Sequence, residues 1–132
     1  MKKKFNILIV DDDPQIHKII GKMLPMETYT VRSSFSGPEA LLNIEKEKPD
    51  LVILDIMMPK VSGIEVCNKI KGNQATSDIM VLILSAKDAQ EDRIEGLAHG
   101  ADDYIAKPFH MRHLIRKIEH MLQNKNSMTV SQ

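Results

Sequence analysis

Acids, a hydroxyl and a lysine stand directly behind four short apolar runs of this chain. NILIV (6–10) is followed by Asp11, Asp12 and Asp13, and LVIL (51–54) by Asp55. MVLIL (80–84) is followed by Ser85, and DYIA (103–106) by Lys107 and Pro108. If the runs are neighbouring strands, Asp11, Asp12 and Asp55 converge, and carboxylates about 4 Å apart repel by about 4 kcal/mol at an effective dielectric of about 20. Helix capping, common for acids after a strand, would employ one of them and leaves the carboxylate at 55 unexplained. A hard divalent cation resolves the conflict, and two or three carboxylates completed by water suit Mg²⁺. Beside such a cation the Asp55 carboxylate can attack phosphorus and form an acyl phosphate. Lys107 would then neutralise one phosphoryl oxygen and Ser85 donate its hydroxyl to another. Taken singly, Ser85 is a strand-end turn residue and Lys107 a solvated lysine; their placement at successive strand ends is what favours a site.

Bringing such distant residues together requires a particular order of elements. The run at 6–10 is continuous and rich in branched residues, as in a strand buried on both faces. Ile16, Ile19, Ile20 and Met23 follow at i, i+3, i+4 and i+7, one helical stripe, with Pro14 suited to its first turn. A brief strand is expected at 29–32 and a helix at 38–46, with Ser36 as N-cap and Ala40, Leu41 and Ile44 inward. After the strand at 51–54, residues 63–71 carry Ile64, Cys67 and Ile70 at helical spacing before Gly72 and Asn73. After the strand at 80–84, a charged helix over 88–99 has a thin inner face of Ile94, Leu97 and Ala98 and ends at Gly100. Leu114, Ile115, Ile118, Met121 and Leu122 mark a final helix starting near His110. The alternation gives an α/β fold of (βα)5 type: an open parallel five-stranded sheet with helices on both faces. Ligands of such sheets bind outside the carboxyl ends of the strands, which in a 2-1-3-4-5 order are neighbours here.

Composition narrows the function classes. A chain of 132 residues, 42% hydrophobic, suffices for one domain with its own core. Eighteen basic and eighteen acidic residues cancel, which argues against direct nucleic-acid binding by this segment. The excess is local: residues 104–132 carry five basic side chains against one acid. The lone Cys67 excludes an internal disulfide and a Cys-rich zinc site, and its inner-face position reads as a small buried hydrophobe. Neither an export signal nor a run of about 20 apolar residues is present, so a cytoplasmic protein without membrane association is expected. His17, His99, His110, His113 and His120 lack a companion acid or Cys cluster and read as solvated helix residues, although His110 and His113 have i, i+3 spacing. The basic ridge His110, Arg112, Arg116 and Lys117 suits an acidic partner or a second copy as well as it suits solvent.

Four stretches together carry a family resemblance: ILIVDDD (7–13), DLVILDIMMPKVSG (50–63), VLILSA (81–86) and GADDYIAKPF (100–109). In this order and at these separations the chain resembles a response-regulator receiver domain of two-component signalling, with the flavodoxin-like (CheY-like) fold. The resemblance covers essentially residues 5–122, giving a receiver over 1–122 and a polar tail or start of a linker at 123–132. It implies that Asp55 accepts phosphate from a sensor histidine kinase or phosphotransfer protein in an Mg²⁺-dependent reaction, with Mn²⁺ as a substitute. Asp12 then ligates the metal directly, Asp11 largely through water, and Met57 through its backbone carbonyl. Ser85 and Lys107 contact the phosphoryl group, Pro108 follows Lys107 through a cis peptide, and Tyr104 is the aromatic switch position.

The resemblance also implies a two-state mechanism. Phosphate at Asp55 draws Ser85 and the loop after it toward itself, the Tyr104 ring occupies the vacated space, and the surface of the 88–99 helix, the 103–106 strand and the final helix changes. That surface would meet a downstream protein, a covalently linked output domain or a second copy of the chain. Met57 and Lys87 occupy rate-tuning positions and suggest slow self-dephosphorylation, while Asp13 reads as helix start and surface charge. Such a receiver takes part in its own phosphotransfer without being a turnover enzyme. Two alternatives stand beside it. One is an Mg-dependent phosphatase of haloacid-dehalogenase type, which places a second acid where this chain has Met57; the other is a docking module that is never phosphorylated.

Overall fold

The computed structural model describes residues 4–58, 62–86, 97 and 99–130. In chain order these form β1 (Phe5–Val10), α1 (Pro14–Met23), β2 (Tyr29–Ser34), α2 (Gly37–Lys46), β3 (Leu51–Asp55), α3 (Gly63–Lys71), β4 (Met80–Ala86), β5 (Asp103–Lys107) and a last helix (Met111–Val130). The strands make one parallel sheet in the order β2-β1-β3-β4-β5. The helix expected over 88–99 falls almost wholly outside the described residues, as does Lys87. Of its expected inner face only Leu97 is described, and it is 41% exposed rather than buried.

Alternating side chains of the central strands feed two cores, which is why these runs are apolar throughout instead of alternating. Leu8, Val10, Val52, Leu54, Val81 and Ile83 pack with Ala40 and Ile44 of α2 and with Val66, Cys67 and Ile70 of α3. On the other face Ile7, Ile9, Leu51, Ile53, Leu82 and Leu84 meet Ile20 of α1 and Leu114, Ile118, Met121 and Leu122 of the last helix. Each fully buried aliphatic side chain contributes about 1.5–3 kcal/mol of transfer free energy. Helix starts are fixed by side-chain oxygens. Asp13 Oδ1 accepts from Gln15 N–H at 2.9 Å, with Pro14 at the first helical position. Ser36 caps α2 with Glu39 three residues on, and Ser62 caps α3 with Glu65 likewise placed.

Several boundaries differ from expectation. β2 continues through the polar residues Arg32, Ser33 and Ser34, because an edge strand paired only with β1 does not require apolar residues throughout. β4 runs to Ala86, so Ser85 lies within the strand and not after it. The last helix continues past its apolar stripe to Val130, into the segment expected as a polar tail or the start of a linker. Once a helix is nucleated, each further residue closes another hydrogen bond without a new nucleus. The α1 stripe is also rotated: Ile20 and His17 are buried, whereas Ile19 is 43% exposed and Met23 also faces outward. Among the described residues no helix is long and apolar enough to cross a membrane.

Candidate functional site

The carboxyl ends of β1 and β3 bring three acids together. Asp11 is the first residue beyond β1, Asp12 follows it, and Asp55 ends β3. One carboxylate oxygen from each lies within 4.8 Å of the others. Asp11 and Asp55 are buried and Asp12 is exposed. Lys107, the last residue of β5, reaches back under them. Its Nζ lies 3.2 Å from Asp11 Oδ2 and 3.6 Å from Asp55 Oδ2.

Backbone donors orient the two buried acids. Asp13 N–H donates to Asp11 Oδ1 at 2.9 Å, and Met57 N–H donates to Asp55 Oδ1 at 3.0 Å. Burial pushes the Asp11 carboxyl above its ordinary pKa, and the Asp55 charge adds to this. The Asp13 N–H and the Lys107 ammonium act the other way. Among the described residues one ammonium, shared by two of the three acids, pairs with the cluster, which leaves it negative when all three are ionised. Oxygen donors of this charge, open to solvent at Asp12, fit a hard divalent cation that keeps part of its water shell.

Of the remaining expected residues, Lys87 lies outside the described residues, and the others stand on or beside β3, β4 and β5. Ser85 is buried on β4, one residue beyond Leu84, the register partner of Asp55. Tyr104 pairs with Ile83, and Ala106 with Ser85, so the Ser85 and Tyr104 side chains share one sheet face. Tyr104 is half-buried against the core under that face, and Lys117 Nζ stands 6.0 Å from its ring centre while pairing with Asp103 at 2.9 Å. The Lys107–Pro108 peptide is cis. Met57 is 63% exposed, and its main-chain N–H is the group that meets the cluster, at Asp55.

Two contributors were not anticipated. A Cβ at Gly63 would lie 2.4 Å from the Asp55 carbonyl oxygen and from Ile56 Cα, so α3 starts in contact with the chain carrying Asp55 only because residue 63 is glycine. The sequence offered one weak signal, a glycine at the first position of a helix just beyond a site strand. His17, expected in solvent, is buried behind Asp11, with Nε2 2.7 Å from the Asp11 carbonyl oxygen and Nδ1 2.8 Å from Ser33 Oγ. His99, His110, His113 and His120 are exposed as expected. Cys67 is buried, as expected, and desolvation raises its thiol pKa to about 11. A groove between α2 and α3, lined in part by Leu41, Leu42, Asn68 and Asn73, contains none of these acids.

Known proteins agree with this arrangement. Residues 7–119 match the family described as response regulator receiver domain. Response regulator MprA of Mycobacterium tuberculosis is 38% identical over 117 residues, 89% of this chain and 50% of that protein. The "Probable transcriptional regulator ycf27" of Guillardia theta is 42% identical over 131 residues, 99% of this chain and 50% of that protein. The chain spans about half the length of these curated relatives. The crystal structure of a CheY-like receiver domain protein from Methanospirillum hungatei matches with a TM-score of 0.88 and 30% identity, covering 96% of this chain and 99% of that one. With the sheet order, the acid cluster and a family match over most of its length in agreement, the chain belongs to the response regulator receiver domains of two-component signalling.

Proposed function

We propose that this receiver is a phosphorylation-controlled switch whose phospho-acceptor is Asp55, supplied by a sensor histidine kinase or a phosphotransfer protein. The observation that carries the reading is the convergence of Asp11, Asp12 and Asp55 within 4.8 Å, with Lys107 spanning two of them. Asp11, Asp12, Asp55 and the Met57 carbonyl would hold Mg²⁺, or Mn²⁺ in its place. The bound cation would offset the negative charge of the transferring phosphoryl group.

Asp55 is suited to attack because its Oδ1 is held by Met57 N–H and its Oδ2 faces the Lys107 ammonium. An Asp55 oxygen forms the new bond to phosphorus while the bond from phosphorus to the donor's leaving group breaks, with both electrons departing on that group. Lys107 then neutralises a phosphoryl oxygen as a point charge, and the Ser85 hydroxyl donates to another. Drawing Ser85 toward phosphate opens space on the sheet face it shares with Tyr104, and inward movement of that ring carries the change to the surface around β5. Met57 and Lys87, the latter outside the described residues, set the lifetime of the phosphorylated state.

The output is a downstream protein, a linked output domain or a second copy of the chain. The name of the Guillardia relative supports a transcriptional output in a longer protein, with residues 1–122 as the receiver and the segment beyond as a connector. A cytoplasmic site of action follows from pairing with a histidine kinase. The phosphatase alternative is weakened by Met57, which stands where that chemistry needs a second acid.

Intact mass after incubation with acetyl phosphate and Mg²⁺ tests the reading, with Asp55→Asn alongside. The expected result is one added phosphoryl group that needs Mg²⁺ and is absent from the variant. An unmodified wild-type chain, also silent to beryllofluoride, would favour the unphosphorylated docking module.

A further inference from the structure

We propose that His17 is a positioning residue for the acid cluster, holding the Asp11–Asp12 peptide at the angle that aims Asp12 into the cation site. The inference rests on the reading of Asp11, Asp12 and Asp55 as cation-holding acids.

The parallel ladder between β1 and β2 ends at the pair Val10 and Ser34. Asp11 N–H still donates to the Ser34 carbonyl, at 3.2 Å, but the Asp11 carbonyl lies past the last residue of β2. His17, on the first turns of α1, takes the place of the missing strand partner: its Nε2 is 2.7 Å from that oxygen. A carbonyl oxygen only accepts, so Nε2 carries the hydrogen. In the neutral ring Nδ1 then accepts from the Ser33 hydroxyl, 2.8 Å away, and the two bonds fix one tautomer. Phe35 closes the outer side of the ring, with the ring centres 4.3 Å apart.

The consequence reaches Asp12 through peptide planarity. The Asp11 carbonyl and the Asp12 nitrogen belong to one rigid plane, so pinning that oxygen restricts ψ of Asp11 and φ of Asp12 together. The Asp11 side chain has its own restraints in Asp13 N–H and Lys107, and Asp13 is tied to Gln15. Asp12 is the exposed acid of the three, and its direction depends on the plane that His17 holds. Interactions one step behind the ligands commonly change metal affinity by about 10-fold or more when removed.

The test is Mn²⁺ binding to the full chain, followed by electron paramagnetic resonance without any phosphodonor, for wild type and for His17→Gln, His17→Asn and His17→Leu. The amide nitrogen of Gln reaches the Nε2 position and keeps the bond to Asp11. That of Asn reaches only the Nδ1 position, and Leu keeps bulk alone. The expected result is a Kd for Gln within about twofold of wild type, with Asn and Leu about tenfold weaker. Equal affinity in all four proteins, or a Gln variant as weak as Asn, would overturn the positioning role. Should Leu fail to fold by circular dichroism, Gln against Asn decides the matter alone. Absence of Mn²⁺ binding by wild type would instead remove the cation site itself, and this inference with it.

Discussion

Asp55→Asn should make the metal-free protein more stable, although it removes the proposed phospho-acceptor. Asp55 lies within 4.8 Å of a carboxylate oxygen on Asp11 and another on Asp12. At an effective dielectric of about 20, each such pair costs about 3.5 kcal/mol when both members are ionised. The Lys107 ammonium, 3.6 Å from Asp55, returns about 4.6 kcal/mol on the same scale. The remainder opposes the Asp55 charge, and solvent around Asp12 and Lys107 reduces it to about 1–2 kcal/mol. Asn keeps an Oδ1 for the Met57 N–H, so the substitution removes charge while sparing the hydrogen bond. For a domain of this size the gain corresponds to a rise in Tm of about 3–8 °C. Thermal melts by circular dichroism in EDTA at pH 7.5 and low salt measure it. Saturating Mg²⁺ should then stabilise wild type by mass action and narrow or invert the gap. A variant no more stable than wild type in EDTA would refute the claim that the resting cluster is held together against its own repulsion.

Related perturbations read other parts of the same balance. Asp11 has a raised pKa in the folded state, so the native chain binds its proton more tightly than the unfolded chain does. Its contribution to stability is therefore full below the ordinary value of 3.8 and is lost as pH rises through the folded value. Urea melts of Asp11→Asn and wild type in EDTA should accordingly diverge in favour of the variant as pH rises, and a gap that closes instead would reverse the sign. Gly63→Ala places a Cβ 2.4 Å from backbone atoms of Asp55 and Ile56; it should cost about 3 kcal/mol in urea unfolding and slow phosphorylation, and unchanged values would count against that contact. Lys107→Met should bind Mg²⁺ more tightly, because a like charge is gone, yet accept phosphate from acetyl phosphate about 10²-fold more slowly. Titration and mass-spectrometric time courses separate the two effects, and parallel weakening of both would contradict the role given to Lys107.

The sheet was legible in the sequence because strands buried on both faces leave continuous apolar runs, and the residues after those runs had to fall at one edge. That logic placed Asp11, Asp12, Asp55, Ser85 and Lys107 at the carboxyl ends of their strands, where they stand. It failed where a residue's neighbours come from elsewhere in the chain. Of the expected α1 stripe Ile16, Ile19, Ile20 and Met23, Ile16 and Ile20 pack against the core, but Ile19 and Met23, equally apolar and helically spaced, face outward and His17 is buried in their place. A histidine is neutral in such a pattern, and its burial becomes visible only when β2 is known to stop at Ser34, one residue short of covering Asp11. Gly63 escaped for a similar reason: the atoms that would collide with its Cβ belong to β3 and the loop that follows it.

These misses and the acid cluster have a common cause. A parallel sheet ends with carbonyls and amides that have no further strand to pair with, so its carboxyl edge must be finished by side chains and loop amides. Here His17 does this for the Asp11 carbonyl, while Asp13 N–H, Met57 N–H and Lys107 hold the carboxylate oxygens of Asp11 and Asp55. Side chains and loop amides gathered at this edge thus aim the acids. Lys107 is the one cation among them, and it contacts both buried carboxylates. A ligand that adds positive charge competes with Lys107 for those oxygens, and a ligand that adds negative charge recruits it. The proposed metal and phosphoryl group would therefore act on the same ammonium in opposite directions, and on the proposed reading β5, which ends at Lys107 and carries Tyr104, would be the strand to carry that contest to the surface.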